Sequence, residues 1–94
     1  MKRLVDELLC PITHELPIVP VLADDGITYE ESAISEWLRT NRVSPITRRY
    51  MGKGTTLNIS HKNVITELLN SGEVPNDLAQ TYKRRKIEIG RAHV

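Results

Sequence analysis

The sequence predicts an α+β domain with one small β-hairpin, a central helix, two long loops and C-terminal helices. Three observations carry that expectation. In "PIVPVLADDGITY", residues 17–29, apolar runs flank Asp24-Asp25-Gly26, and Asp-Gly is a strong hairpin signal because it supplies positive φ. Two stretches show helical spacing instead: Ile34, Trp37 and Leu38, then Val64, Ile65, Leu68 and Leu69. The tripeptide Pro-Ile-Thr also occurs twice, at 11–13 and 45–47, on either side of the hairpin and first long helix. The spacing of 34 positions is near the period of some helical solenoids, but the flanks differ. "HELPIVPVLADDGITYEE" is strand-like, whereas "RRYMGKGTTLNIS" is a basic, glycine-containing loop, so the echo lies in two loops.

Each element has its own signal. Leu4, Val5, Leu8 and Leu9 share a helical face and predict a short N-terminal helix running to Pro11. Pro20 cannot donate to a ladder, so the first strand is expected at an edge or at a bulge. Thr28 and Glu31 have capping-box spacing, and the helix they open should end near Asn41. Ser60 or Asn58 can cap the next helix, which Asn70-Ser71-Gly72 stops. Pro75-Asn76 begins a third helical segment to about Ile89, with Leu78, Tyr82 and Ile89 on one side. These anchors are too sparse for a coiled coil and predict docking on the preceding domain, although homodimerisation through this helix stays open. The expected division is a domain over 1–74 and a helical extension over 75–94, with "GRAHV" a frayed end.

Composition narrows the function classes. A chain of 94 residues forms one domain and buries only about 60–65% of its unfolded surface. With no Phe and 4% aromatic residues, the core must rest on Leu, Ile, Val and Trp37. A net charge of +1 supplies no field for nucleic acid or membrane, no apolar run reaches a span, and no leader pattern opens the chain. The single Cys10 precludes an internal disulfide and fits a cytoplasmic setting, while the basic run 83–86 leaves a nuclear one open.

Taken together, "LCPITHEL", "DDGITYEESAISEWL", "SPITRR" and "LNISHKNVITELL" resemble the U-box, the zinc-free relative of the RING finger found in ubiquitin ligases. The resemblance runs from about Leu8 to Gly72, and the joint order of the segments is its specific part. It implies a RING-like fold in which the two loops and the helix between them form a shallow groove for a ubiquitin-conjugating enzyme. Ile12 matches the apolar loop residue that contacts this partner, and Pro45 packs against it from the second loop. Arg48 matches the linchpin cation that bonds both conjugating enzyme and attached ubiquitin, and five donors in a planar fork suit that task. Arg49 is adjacent and competes, although register favours Arg48. Trp37 is expected partly in the core and partly at the groove floor. His14 stands where a bulky apolar residue is common, which would make contact pH-sensitive or weaker. Asn58 matches the asparagine that braces the second loop; Leu57 replaces the proline that often precedes it, and the intervening loop is one residue short.

Each of these residues also has a bland reading: Ile12 as core, Pro45 as a turn former, Arg48 as a solvated cation and Asn58 as an ordinary helix cap. The metal reading fails on counts, since the two zinc ions of a RING need eight Cys or His ligands, the chain holds only Cys10, His14, His61 and His93, and C-x3-H alone cannot fill a tetrahedral site. No cofactor is implied. Hydrogen bonds, ion pairs and packing must hold the loops, with Asp24, Asp25, Glu31, Ser32, Arg39 and Asn58 as contributors whose partners the sequence does not give. Cys10 as a covalent ubiquitin acceptor lacks an activating base beyond His14 and reads as a small buried hydrophobe. The resemblance thus implies a ligase module acting without covalent intermediate, whose partners are a conjugating enzyme, ubiquitin and an unidentified protein substrate. The main rival is a protein-interaction module that keeps the fold, binds substrate or a partner domain, and no longer engages a conjugating enzyme. A nucleic-acid-binding helical domain would need steep salt dependence, which a near-neutral chain argues against.

Overall fold

The hairpin forms where the sequence places it, turning at Asp24-Asp25-Gly26. In the computed structural model, which describes residues 4–92, β1 (Pro20–Ala23) and β2 (Thr28–Glu30) pair antiparallel with Val21 opposite Tyr29. Of the three turn residues only Gly26 has positive φ, at 81°. Its N–H donates to the Ala23 carbonyl, and the Ala23 N–H donates to Ile27, both at 3.0 Å. This is a three-residue loop closed by a left-handed glycine bulge. Asp25 serves by its side chain, accepting the Ile27 N–H at 2.9 Å.

A third strand, β3 (Thr55–Leu57), pairs with the other side of β1, giving the order β2-β1-β3. The expectation here is loop, because all three residues are exposed and show no inward-outward alternation. Its presence corrects the expectation for Pro20, because β1 is the central strand. Pro20 is tolerated as the strand's first residue, where its carbonyl accepts the Asn58 N–H at 2.8 Å and no donor of its own is required.

Four helices complete the described residues: α1 (Leu4–Leu8), α2 (Glu31–Thr40), α3 (Ile59–Asn70) and α4 (Asn76–Ala92). The capping box expected at Thr28 and Glu31 does not form. Thr28 belongs to β2, and Glu30, the extended residue before α2, makes no side-chain cap. Its carboxylate points inward and accepts the N–H groups of Ile18 (2.9 Å) and Val19 (2.8 Å), which serve a buried charge better than a single cap would. Asn58 does cap α3, accepting the His61 N–H at 3.0 Å. That helix ends in a Schellman motif, with Gly72 at φ 76° and bonds from Glu73 to Leu68 and from Gly72 to Leu69.

The core has two clusters. One joins Val5, Leu8, Leu16, Ile18, Ile65, Leu68, Val74 and Tyr82, so α4 docks through Tyr82 on α1, α3 and the chain before β1. The other joins Cys10, Val21, Ala23, Tyr29, Ile34, Leu38 and Met51 beneath the two Pro-Ile-Thr loops. Val19 packs against both. No described helix is long and apolar enough to cross a membrane. His93 and the final Val94 of the expected frayed end lie outside the described residues, as do 1–3 of the expected first domain.

Candidate functional site

Pro-Ile-Thr folds the same way twice. Proline fixes φ at the first corner, and the threonine hydroxyl competes for a backbone N–H two residues on. In the first loop the His14 N–H donates to the Cys10 carbonyl (2.8 Å), the Cys10 N–H to Glu15 (2.9 Å), and the Glu15 N–H to Thr13 Oγ1 (3.2 Å). In the second, Arg48 donates to Ser44 (3.0 Å), Ser44 to Arg49 (2.8 Å), and Arg49 to Thr47 Oγ1 (3.3 Å). The residue after each threonine is left-handed, His14 at φ 60° and Arg48 at φ 65°, the only such non-glycine residues described.

What anchors the loops differs. Cys10 is fully buried in the second cluster, packed as a small hydrophobe. Ser44, equally buried, donates its hydroxyl to Asp25 Oδ2 at 2.7 Å and accepts the N–H groups of Ile46 and Thr47 at 3.1 and 3.0 Å. The Tyr29 hydroxyl donates to the same Asp25 oxygen. Burial and the neighbouring Asp25 carboxylate push the Tyr29 phenol well above its ordinary range. One carboxylate therefore ties the hairpin turn, the core tyrosine and the second loop together. Sequence reasoning named Asp25 without partners and missed Ser44, although a serine directly before proline is a turn-forming signal.

The expected site residues divide. Ile12 and Trp37 both pack, half-buried, against the second cluster. The Trp37 Nε1–H donates to the Val43 carbonyl at 2.8 Å, fixing the ring at the root of the second loop. The Arg48 guanidinium lies over that ring, 5.8 Å from its centroid, within cation–π range. The structure thus joins Arg48 to Trp37 directly, while Ile12 shares with Trp37 the cluster it packs on. Pro45 is half-buried at the first corner of its turn, and His14 is exposed. Asn58 braces something else: its amide donates to Thr28 Oγ1 (3.0 Å) and its backbone to Pro20, and among the described residues none of its bonds reaches 44–49. The reason is register, since Asn58 directly follows β3 and lies against the hairpin; the second loop is braced by Asp25. Of the other expected contributors, Arg39 pairs only with Glu36 on the surface.

An open cleft of about 600 Å³ lies between the hairpin tip and residues 47–52, lined by Asp24, Asp25, Arg49, Tyr50 and Met51 among others, and it includes none of Ile12, Trp37 or Arg48. A protein-binding surface needs anchors and exposed donors more than a deep cavity. Among the described residues no three His, Cys, Asp or Glu side chains converge on a position suited to a metal ion.

Sequence comparison assigns a domain class to this arrangement of a three-stranded sheet and two proline loops. The U-box domain signature matches residues 4–73. The chain belongs to the U-box family. It is 39% identical over 66 residues to a probable bifunctional E2/E3 enzyme of Acanthamoeba polyphaga mimivirus, covering 70% of this chain and 5% of that protein. It is 37% identical over 78 residues to a putative E3 ubiquitin-protein ligase of Lotus japonicus, covering 81% of this chain and 5% of that one. Over 43 residues it is 56% identical to a WD repeat, SAM and U-box domain-containing protein of Danio rerio, covering 45% of this chain and 9% of the relative. The chain thus matches a small fraction of the length of these relatives.

Proposed function

We propose that this domain is a ubiquitin-ligase module that binds a ubiquitin-charged conjugating enzyme and promotes transfer to a substrate lysine without a covalent intermediate of its own. Family membership and the names of the relatives support ligase function in general. The observation that carries the finer reading is Arg48. A non-glycine residue in the left-handed region costs about 1–2 kcal/mol, and glycine would occupy the position without that cost. An arginine held there, with its guanidinium over Trp37 at an exposed loop corner, points to a use for the side chain.

In this reading Ile12 and Pro45 supply apolar contact from the two loops, Trp37 the floor between them, and Arg48 the donors that restrain the attached ubiquitin. Restraint lowers the entropic part of the barrier, while the nucleophile comes from the substrate and the thioester from the conjugating enzyme. The test is an autoubiquitination assay with purified activating enzyme, a panel of conjugating enzymes and ubiquitin. Chain formation with at least one of them is expected. Inactivity with all of them, together with no binding to any, would favour an interaction module instead.

A further inference from the structure

Loop two is braced by the hairpin, whereas the exit of loop one is braced from the far end of the chain. Arg85, on α4, donates from Nη2 to Glu30 Oε1 at 2.9 Å, and Glu30 is the carboxylate that holds the N–H groups of Ile18 and Val19. Its other terminal nitrogen, Nη1, lies 3.8 Å from Glu15 Oε1, and the Glu15 carbonyl closes loop one on the Cys10 N–H. One guanidinium therefore reaches loop one directly at its last residue and, through Glu30, the segment that leads into β1.

The two contacts are unequal. Glu30 is only 3% exposed and its bond to Arg85 is fully formed. Nη1 is buried and is the one described buried side-chain donor without a hydrogen-bond partner. At 3.8 Å the Glu15 contact is an ion pair too long to be a hydrogen bond. A buried donor left unpaired is costly, and Glu15 is the carboxylate within reach, so a small inward shift of loop one would complete the bond.

We propose that Arg85 is a positioning residue that couples the docking of α4 to the shape of loop one, and through it to the surface carrying Ile12. The functional half of this proposal rests on the ligase reading above. Coupling is reciprocal: a partner that seats loop one tightens α4, and whatever lifts α4 loosens the partner.

The test combines amide hydrogen exchange on the whole chain with binding to the conjugating-enzyme panel. Glu15→Gln removes only the long contact and leaves Glu30 paired, so it folds. It should speed exchange at the Cys10 and His14 amides by about tenfold while leaving Ile65 in α3 unchanged, the signature of local opening. Arg85→Met should do so more strongly, and Arg85→Lys should restore part of the protection because it keeps the charge. In binding, Glu15→Gln should weaken the partner by about fivefold, the ordinary size of such coupling, with discharge per bound complex unaltered. Unchanged exchange at Cys10 and His14, or a uniform rise that includes Ile65, would overturn the proposal. If the parent chain binds no conjugating enzyme, the ligase reading falls, and the exchange comparison by itself decides whether Arg85 holds loop one.

Discussion

The two Pro-Ile-Thr loops share a backbone and differ in almost everything attached to it. Ile12 packs on the core cluster beneath its loop, whereas Ile46, the same residue at the same turn position, is 50% exposed. The residue before each proline explains much of the contrast. Cys10 is apolar enough to sink its loop into the core, while Ser44 uses its hydroxyl to tie its loop to Asp25 and to two of its own N–H groups. The tripeptide dictates the turn, and the flanking residues decide what the turn presents. Loop one offers an apolar side chain close to the core, and loop two offers an arginine propped on Trp37.

The largest effect should come from breaking the brace of the second loop. Asp25→Ala removes the acceptor for the Ile27 N–H, the Tyr29 hydroxyl and the Ser44 hydroxyl, and leaves buried donors unpaired. Urea denaturation should show a loss of about 3 kcal/mol, within the range for such orphaned groups. Amide exchange at Arg48 should rise well above that at His14. Equal loosening of both loops would mean that they are not separately anchored.

The isoleucines sharpen the comparison next. Ile12→Ala should weaken a conjugating enzyme by more than about 1 kcal/mol in calorimetric titration, as a buried interface anchor does. Ile46→Ala should change folding stability by less than about 0.5 kcal/mol, because its side chain is already half in solvent.

Part of this is legible in the sequence alone. The helices and the hairpin announce themselves because Leu, Ile and Val repeat with the right period and Asn58 and Gly72 punctuate the ends. β3 was not legible, since a three-residue strand with both faces wet leaves no pattern. Ile12, Trp37 and Arg48 stand out by their place in the motif order, and of these the geometry pairs Arg48 with Trp37. The braces were hidden for a different reason: Ser44 lies 19 positions from Asp25, and Arg85 lies 55 from Glu30. Nothing in local sequence ranks one charged or hydroxyl partner above another at that separation.

The left-handed corners give a smaller effect. His14→Gly and Arg48→Gly should each leave the thermal midpoint unchanged or slightly raised, since relief of about 1 kcal/mol of strain offsets the entropy glycine adds to the unfolded chain. A marked drop in either would mean that the side chain, rather than the turn, holds that loop in place.

The smallest effect at neutral pH concerns the buried phenols. Burial, reinforced for Tyr29 by Asp25 and for Tyr82 by the charge of Glu30, raises both above the ordinary tyrosine value. A raised folded-state value means that the unfolded chain loses these protons first. Their stabilising contribution is therefore complete below about pH 10 and is lost as pH rises beyond it. Denaturation midpoints should be insensitive to these tyrosines near neutrality and fall in strongly alkaline solution, less so in Tyr82→Phe than in the parent chain.

The central claim, that two loops of one backbone design jointly hold and restrain a charged conjugating enzyme, is tested most directly by single-turnover discharge of ubiquitin onto free lysine. The parent chain should accelerate discharge. Arg48→Gly should lose most of that acceleration while binding the conjugating enzyme within about threefold of the parent, because its contact matters chiefly in the restrained state. Full acceleration by a folded Arg48→Gly variant, or none by the parent chain with any conjugating enzyme it binds, would contradict the account.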